Sequence, residues 1–186
     1  MTDFLIRKLS EYPTTEKMLA RLPQWRRAKA LSYAREIDRR QSAAAYLLLR
    51  ELLAMHGSDT EEPFVYSENG KPSFVGDGRV AFSISHCAEA VACAVSDEGK
   101  VGCDVESVPV EVDFEVCVAV FDAEEISAIG NSANPPLEFT RLWTLREARA
   151  KLLDTDLQSP VLSQQIAGEM KSTVAADGYA ATFVWV

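Results

Sequence analysis

Two long helices are predicted from apolar residues that recur every three or four positions. Ala45, Leu48, Leu52 and Met55 mark the first helix, with further leucines widening its apolar stripe. The second runs from about residue 137 to about residue 153. Charged residues precede the apolar stripe of the first helix, so this element should present a basic start and a core-facing body.

Shorter segments alternate between apolar and polar residues and predict strands. In residues 80–86 the apolar side chains fall on one face, and Ser83 and Ser85 fall on the other. Strands are also expected at 91–95, at 101–106, near 164–170 and over 173–186. Asn69-Gly70 predicts a turn, and Asp177-Gly178 predicts a hairpin within the last segment.

The order of these elements is helix then strands, followed by helices then strands. This order predicts an α+β fold of two similar lobes, related by a pseudo-twofold, that meet near residue 100. The N-terminal lobe would comprise residues 1–100 and the C-terminal lobe residues 101–186.

Net charge is not spread evenly along the chain. Residues 1–60 carry eleven Lys/Arg against seven Asp/Glu, whereas residues 61–186 carry eight against twenty-one, within a total of -9. An acidic chain with one basic segment is a poor nucleic-acid binder, but the segment suits a small anion. No apolar run approaches a membrane span, and residues 1–10 lack a signal-peptide core. We therefore expect a soluble, cytoplasmic protein without nucleic-acid or membrane partners, whose four cysteines are free and buried.

Candidate chemistry begins at Asp104-Val105-Glu106, where strand periodicity places both carboxylates on one face. Carboxylate oxygens on a rigid strand are suitable ligands for Mg²⁺. A strand with two acids on its solvent face is common, and these two residues alone do not decide between the alternatives.

A second set lies on the last long helix. Trp143, Glu147 and Lys151 follow one another at four-residue spacing and share one helical stripe. The ordinary interpretation is an exposed Glu–Lys pair, and the functional one is a third carboxylate beside a phosphate-binding lysine. His86, at a strand end, and Lys71, in the Asn69-Gly70 turn, are further candidates for contact with an anion.

Taken in order, these segments resemble the 4′-phosphopantetheinyl transferases of the two-lobed, surfactin-synthetase-activating type. The resemblance covers roughly residues 25–153. Its most specific parts are Gly-Cys-Asp-Val-Glu at 102–106 and Trp-Thr-Leu-Arg-Glu-Ala-Arg-Ala-Lys at 143–151. It implies a coenzyme A cleft between the lobes. It also implies transfer of the phosphopantetheine arm to a serine of an acyl or peptidyl carrier protein, with release of adenosine 3′,5′-bisphosphate.

The resemblance also implies roles for individual residues. Asp104, Glu106 and Glu147 would be the Mg²⁺ ligands, and Glu147 would also be the base for the serine. Lys151 would contact the pyrophosphate. Coenzyme A would thus be a substrate and Mg²⁺ the cofactor.

Other positions match residues that hold coenzyme A. The resemblance implies that His86 contacts one of its phosphates and counts among the catalytic residues. Arg40, Lys71 and Ser85 would hold the nucleotide phosphates. Two fused lobes favour a monomer, and the pathway served would be fatty acid, polyketide or peptide biosynthesis.

Two positions depart from the family pattern. Arg146 stands where a lysine is usual, and residues 152–157 lack the glycines that usually follow the lysine. Two alternatives therefore stay open: a degenerate homologue that binds coenzyme A or a carrier protein without turnover, and a Mg²⁺-dependent phosphohydrolase. For carrier docking, Arg141 and Arg149 are the candidate basic residues.

Overall fold

The chain forms two three-stranded antiparallel sheets and one two-stranded ribbon, with helices packed against the sheets. The computed structural model describes residues 1–58, 61–75, 80–176 and 178–186. The helices of this part of the chain are α1 (Thr15–Leu19), α2 (Gln24–Leu31), α3 (Glu36–Met55), α4 (Phe114–Val120), α5 (Ala123–Asn131) and α6 (Pro135–Leu153). Its strands are β1 (Thr2–Lys8), β2 (Val65–Tyr66), β3 (Pro72–Ser73), β4 (Ala81–His86), β5 (Ala90–Ser96), β6 (Val101–Ser107), β7 (Met170–Ala176) and β8 (Tyr179–Trp185).

The two larger sheets share one topology. The first has the strand order β1-β5-β4 and the second β6-β8-β7. In each, one strand comes first, helices follow, and a hairpin then adds two strands with the last of the three at the centre. The α+β prediction is therefore confirmed, and the two units repeat the same chain path.

The helices and the two larger sheets form four layers, and each interface between layers buries its own set of apolar side chains. One face of the first sheet, including Phe82 and Cys93, packs against α3. The other face packs on the second sheet, where Phe4 stacks on Phe183 at 4.3 Å between ring centroids. Helix α6 covers the outer face of the second sheet through Leu152 and Val184. The order of layers is helix, sheet, sheet, helix.

Local sequence signals account for the starts of α5 and α6. Asp122 and Glu125 form the reciprocal capping box at the start of α5. The Asn134 side chain accepts from Leu137 N at the start of α6, and Pro135 occupies the first helical position. The four cysteines are free and buried, as expected. No helix in the described ranges has the length and apolar character of a membrane span.

Several predicted features are wrong. Residues 2–8 form β1, which the sequence pattern did not indicate, and residues 164–169 form no strand. Met55 is 56% exposed, so it does not belong to the core stripe of α3. The sequence also predicts a short helix that begins with the Asp122 and Glu125 capping box and ends at Gly130, but α5 continues to Asn131. Asp177, of the predicted hairpin turn, lies outside the described residues, although β7 and β8 do pair as antiparallel neighbours.

Gly102 allows α6 to lie directly on β6. A Cβ at this position would stand 2.0 Å from the carbonyl oxygen of Ala148 and 2.7 Å from the amide nitrogen of Leu152. Both are backbone atoms of the helix, so no side-chain rotation relieves the overlap. The absence of a side chain at residue 102 therefore sets the distance between this helix and this strand.

We expect Gly102→Ala to destabilise the protein by about 3 kcal/mol, at the upper end of what overpacking costs, because the helix backbone must move. In a chain of this size that loss lowers the melting temperature by roughly 6–12 °C. Calorimetry or circular dichroism measures it. Gly130→Ala is the matched control, since a Cβ there meets nothing within 4 Å and α5 gains helix propensity. Equal melting temperatures for Gly102→Ala and the wild type would contradict the close contact.

Candidate functional site

Strand β6 carries two of the predicted carboxylates on its helix-facing side. Asp104 is 1% exposed, beneath α6, whereas Glu106, nearer the strand end, is only partly buried. One of the two interpretations of these acids placed this face in solvent. It is covered instead, because the Gly102 contact brings α6 down onto it. A buried carboxylate needs partners, and the structure provides them from two other elements.

Helix α6 supplies the first partner. Lys151 Nζ donates to Asp104 Oδ1 at 2.6 Å and lies 3.8 Å from Glu147 Oε2, one helical turn earlier. Strand β4 supplies the second, since Ser85 Oγ donates to the same Asp104 oxygen at 2.7 Å. Lys151 Nζ also donates to Ser85 Oγ at 3.2 Å. Three of the predicted site residues thus form one hydrogen-bonded cluster where the two lobes meet.

The electrostatic surroundings of Lys151 favour its protonated, positively charged form. Although desolvation opposes it, attraction to Asp104, Cys103 and Glu147 leaves the pKa of Lys151 raised. Asp104 is buried and Lys151 is partly buried, so this ion pair is costly to break, because removal of Lys151 leaves a buried carboxylate uncompensated. Lys151 therefore stays protonated as one half of an ion pair between the lobes.

The other two carboxylates are shifted toward their protonated forms. Burial, followed by repulsion from Asp104 and Glu147, raises the pKa of Glu106 to about 7. Burial and the charge of Asp104 also raise the pKa of Glu147, although Lys151 opposes them. A divalent cation would relieve the repulsion among these carboxylates.

The fit to a metal ion rests on two observations. Asp104 Oδ2 is buried without a hydrogen-bond partner. The donors are all hard carboxylate oxygens, which suit Mg²⁺. Within the described ranges, however, no three acidic, histidine or cysteine side chains are gathered closely enough to hold an ion. The Mg²⁺ assignment therefore stays a prediction that the donor chemistry supports.

Lys71 reaches this region from the turn between β2 and β3. Gly70 has a φ of +81°, which glycine adopts freely, so the predicted turn forms. Lys71 Nζ donates to the carbonyl oxygen of Val101 at 3.3 Å, and burial lowers its pKa. A cavity of about 400 Å³ lies beside it, which we name the lysine cavity. Its lining includes Lys71, Ser83, Glu147, Lys151 and Asp154.

His86 stands at the end of β4, on a second cavity of about 360 Å³ that we name the histidine cavity. Partial burial, followed by the nearby charge of Lys151, lowers the pKa of His86. Ser85 and Lys151 line this cavity too, so Lys151 borders both. The two cavities flank the cluster at Asp104.

Arg40 lines neither cavity. Its guanidinium donates to the backbone carbonyls of Leu9, Tyr12 and Pro13 at 2.8–3.0 Å, and so fixes the segment after β1 to α3. Its assignment to coenzyme A stays untested, but the structure does not bring it to the other site residues.

Two residues of α2 take its place on the histidine cavity. Arg26 and Lys29 line it beside His86. Arg26 is 6% exposed, donates to Ser42 O and Oγ at 3.0 Å, and keeps its Nε without a hydrogen-bond partner. The sequence pattern marks this segment as basic but does not distinguish among its residues.

Arg149 was a candidate for carrier docking, and this prediction is wrong. Its guanidinium makes a bidentate pair with Glu169 at 2.8–2.9 Å and also donates to Leu162 O. Arg146 likewise donates to Leu157 O and to Ser163 Oγ. Both arginines therefore hold residues 157–169 against α6. Arg141, with a side chain 51% exposed, stays accessible.

A third cavity, of about 690 Å³, is remote from these residues. It lies on the N-terminal lobe and is lined by Arg7, Tyr12, Arg50 and Glu51 among others. None of the predicted site residues lines it, so cavity size alone does not identify the site. The chemistry is concentrated instead between the lobes.

Comparison with known proteins supports this location. Residues 100–174 match the family described as the 4′-phosphopantetheinyl transferase superfamily. The matched segment contains β6, α6 and three of the four residues Ser85, Asp104, Glu147 and Lys151.

Several curated relatives carry related names. The chain is 36% identical over 112 residues to 4′-phosphopantetheinyl transferase AcpT of Salmonella typhimurium, covering 58% of this chain and 57% of the relative. To AcpT of Escherichia coli it is 34% identical over 91 residues, covering 47% and 46%. To 4′-phosphopantetheinyl transferase gsp of Aneurinibacillus migulanus it is 30% identical over 146 residues, covering 76% and 60%. The chain thus spans about half to three fifths of the length of these relatives.

The raised pKa of Glu106 predicts a pH dependence of stability. Because the folded state holds the Glu106 proton more tightly than the unfolded state does, the free energy of unfolding should fall as pH rises from about 4.5 to about 7. Glu106→Gln removes this charge. We expect the free energy of unfolding of the variant, relative to that of the wild type, to be higher at pH 8 than at pH 5 by on the order of 1 kcal/mol. Urea denaturation in EDTA measures both curves, and an equal difference at the two pH values would contradict the assignment.

Proposed function

We propose, because the chain belongs to the 4′-phosphopantetheinyl transferase superfamily, that it transfers phosphopantetheine from coenzyme A to a carrier protein. The acceptor is a serine hydroxyl of an acyl or peptidyl carrier protein, and adenosine 3′,5′-bisphosphate is the leaving group. The single observation that carries this proposal is the cluster of Asp104, Lys151 and Ser85 between the lobes, with Glu147 one turn away.

In this reaction the protein's main task is to neutralise the negative charge of the phosphates, and it forms no covalent bond to the substrate itself. The serine oxygen forms a bond to the phosphorus that bears the pantetheine arm, and the bond from that phosphorus to the bridging oxygen breaks. Negative charge accumulates on the departing bisphosphate and must be balanced. The lysine cavity supplies two cations for this purpose, Lys71 and Lys151.

Glu147 is the residue proposed to take the serine proton. Burial and the charge of Asp104 raise its pKa, which makes it a stronger base than an exposed glutamate. It lies at the lining of the lysine cavity, so an incoming hydroxyl can approach it from solvent. Lys151 then stays paired with Asp104 and faces the pyrophosphate.

The nucleotide phosphates are proposed to lie toward the histidine cavity. His86 lines it with Ser85, and Arg26 and Lys29 add two positive charges from α2. Arginine and lysine are the side chains that bind phosphate oxygens most effectively. We therefore add Arg26 and Lys29 to the proposed coenzyme A contacts, beside Lys71, Ser85 and His86.

Asp104, Glu106 and Glu147 would hold Mg²⁺. When bound, the ion would neutralise pyrophosphate oxygens and the mutual repulsion of these carboxylates. The Lys151 ammonium contributes to the same balance through its ion pair with Asp104. The proposed dependence on Mg²⁺ can be tested directly by transfer assays with and without EDTA.

Coenzyme A should raise the melting temperature of the protein more than dephospho-coenzyme A does. A ligand that binds only the folded state stabilises it in proportion to RT ln(1 + [L]/Kd), and the 3′-phosphate adds a charge that the cations of the histidine cavity recognise. Differential scanning fluorimetry at matched ligand concentrations measures both shifts. Equal shifts for the two ligands would refute recognition of the 3′-phosphate.

Glu147→Gln tests turnover against binding. This substitution keeps size and helix propensity but removes the base, and loss of a general base costs about 10²- to 10⁴-fold in rate. Mass spectrometry of apo-carrier proteins incubated with coenzyme A and Mg²⁺ measures transfer, and calorimetry measures coenzyme A binding. We expect transfer to fall by at least about 10²-fold while binding changes much less.

The same assay decides the alternative of a degenerate homologue. Wild-type protein that binds coenzyme A but modifies no acyl or peptidyl carrier protein would favour that alternative. Glu111→Gln is the control, because Glu111 is exposed and lines none of the site cavities described above. Transfer by Glu147→Gln at the wild-type rate would show that another group accepts the proton.

A further inference from the structure

Asp154 ends α6 in an unusual backbone conformation. Its φ of 54° and ψ of 56° place it in the left-handed region, and it is the one non-glycine residue with positive φ among those the structure describes. Left-handed geometry costs a residue with a side chain roughly 1–2 kcal/mol relative to glycine. The family resemblance also favours glycine in this segment, so the aspartate calls for a reason.

The side chain and carbonyl of Asp154 both bind the turn that presents Lys71. Ser67 Oγ donates to Asp154 Oδ1 at 2.8 Å, and Asn69 Nδ2 donates to the Asp154 carbonyl oxygen at 2.7 Å. The same Ser67 hydroxyl oxygen accepts from the backbone amide of Lys71 at 3.0 Å. A continuous chain of hydrogen bonds thus runs from Asp154 through Ser67 to Lys71.

These bonds join the two lobes at the lysine cavity. The turn belongs to the N-terminal half of the chain, whereas Asp154 caps the end of α6, three residues after Lys151. Asp154, Lys71 and Lys151 all line the cavity. The Asp154 carboxylate also supports the charge of Lys71, since it opposes the lowering of the Lys71 pKa by burial.

We propose that Asp154 is a positioning residue that latches the 67–71 turn to the end of α6 and thereby sets the place of Lys71 relative to Lys151. The proposal rests on the proposed function in one respect, namely that the lysine cavity receives the phosphates of coenzyme A. The latch itself is a property of the free protein, so it can be measured without any ligand.

The Asp154→Gly substitution should remove the latch while leaving the fold intact. Asp154→Gly accepts the left-handed backbone more readily than aspartate, so α6 should keep its ending and the protein its stability. It removes the acceptor for Ser67, and the turn loses its side-chain anchor. Asp154→Asn removes the charge but retains an oxygen that accepts from Ser67 and a residue that tolerates positive φ.

The kinetic consequence should fall on KM rather than on kcat. Lys71 is proposed to bind coenzyme A phosphates in the ground state and the transition state alike, and loss of such uniform binding raises KM with little change in kcat. We expect Asp154→Gly to raise KM for coenzyme A about tenfold, as for a lost hydrogen bond to a charged group. Asp154→Asn should stay within about threefold of the wild type, because its acceptor is retained.

Hydrogen exchange gives a readout independent of catalysis. The Lys71 amide is bonded to the Ser67 hydroxyl, so loss of the latch should speed exchange in the 64–75 segment of Asp154→Gly. Gln158→Gly is the matched control, since Gln158 is exposed in the loop after α6 and lines neither the lysine cavity nor the histidine cavity. It should leave both exchange and KM unchanged.

The outcomes separate the two proposals. The latch is supported if Asp154→Gly shows faster exchange and a raised KM while Asp154→Asn stays close to the wild type in both. Unchanged exchange in Asp154→Gly overturns the latch. Exchange and KM in Asp154→Asn that equal those of Asp154→Gly overturn it too. If the wild type binds no coenzyme A, the proposed function fails, yet the exchange experiment still decides whether the latch exists.

Discussion

The contact of α6 with β6 at Gly102 is the constraint on which the candidate site depends. Backbone atoms of the helix lie where a Cβ of residue 102 would stand. This places one helical turn, from Glu147 to Lys151, directly over Asp104 two residues further along the strand. Ser85 can reach Asp104 only because the first sheet packs against the second through small residues such as Ala92 and Ala94. Small residues at these interfaces therefore determine the positions of the charged ones, and the chemistry follows from close packing of backbones.

Much of the fold follows from local signals in the sequence. The capping box at Asp122, the Asn69-Gly70 turn and the apolar stripe of α3 all form as their patterns indicate. Strand β1 was missed because both of its faces are covered: Phe4 and Ile6 face the second sheet, and Leu5 faces the α3 core. A strand covered on both sides shows no alternation between apolar and polar residues.

Strand periodicity places Asp104 and Glu106 on one face, and helix periodicity places Glu147 and Lys151 on another. The resemblance to the family, and not periodicity, assigned these residues to one candidate site. Its remaining parts depend on tertiary contacts that periodicity does not encode. Arg26 and Arg40 lie in one basic segment of similar composition. Arg26 lines the histidine cavity, whereas Arg40 donates to backbone carbonyls, and composition does not distinguish the two. Arg149 shows the same limit, because its partner Glu169 lies beyond the helix, across a loop of irregular structure.

The placement of β8 has a consequence for the order in which the protein folds. In the second sheet β8 lies between β6 and β7, and each of those strands pairs with β8 rather than with the other. Pairs between β6 and β8 are about 70 or more residues apart in sequence, so closing them carries a large loop-entropy cost. The hairpin of β7 and β8 is local and can form first, as can the hairpin of β4 and β5 against α3. Strands β1 and β6, whose partners are distant in sequence, are then incorporated after the two hairpins. Because β6 carries Asp104 and Glu106, the acidic half of the site becomes ordered late in folding.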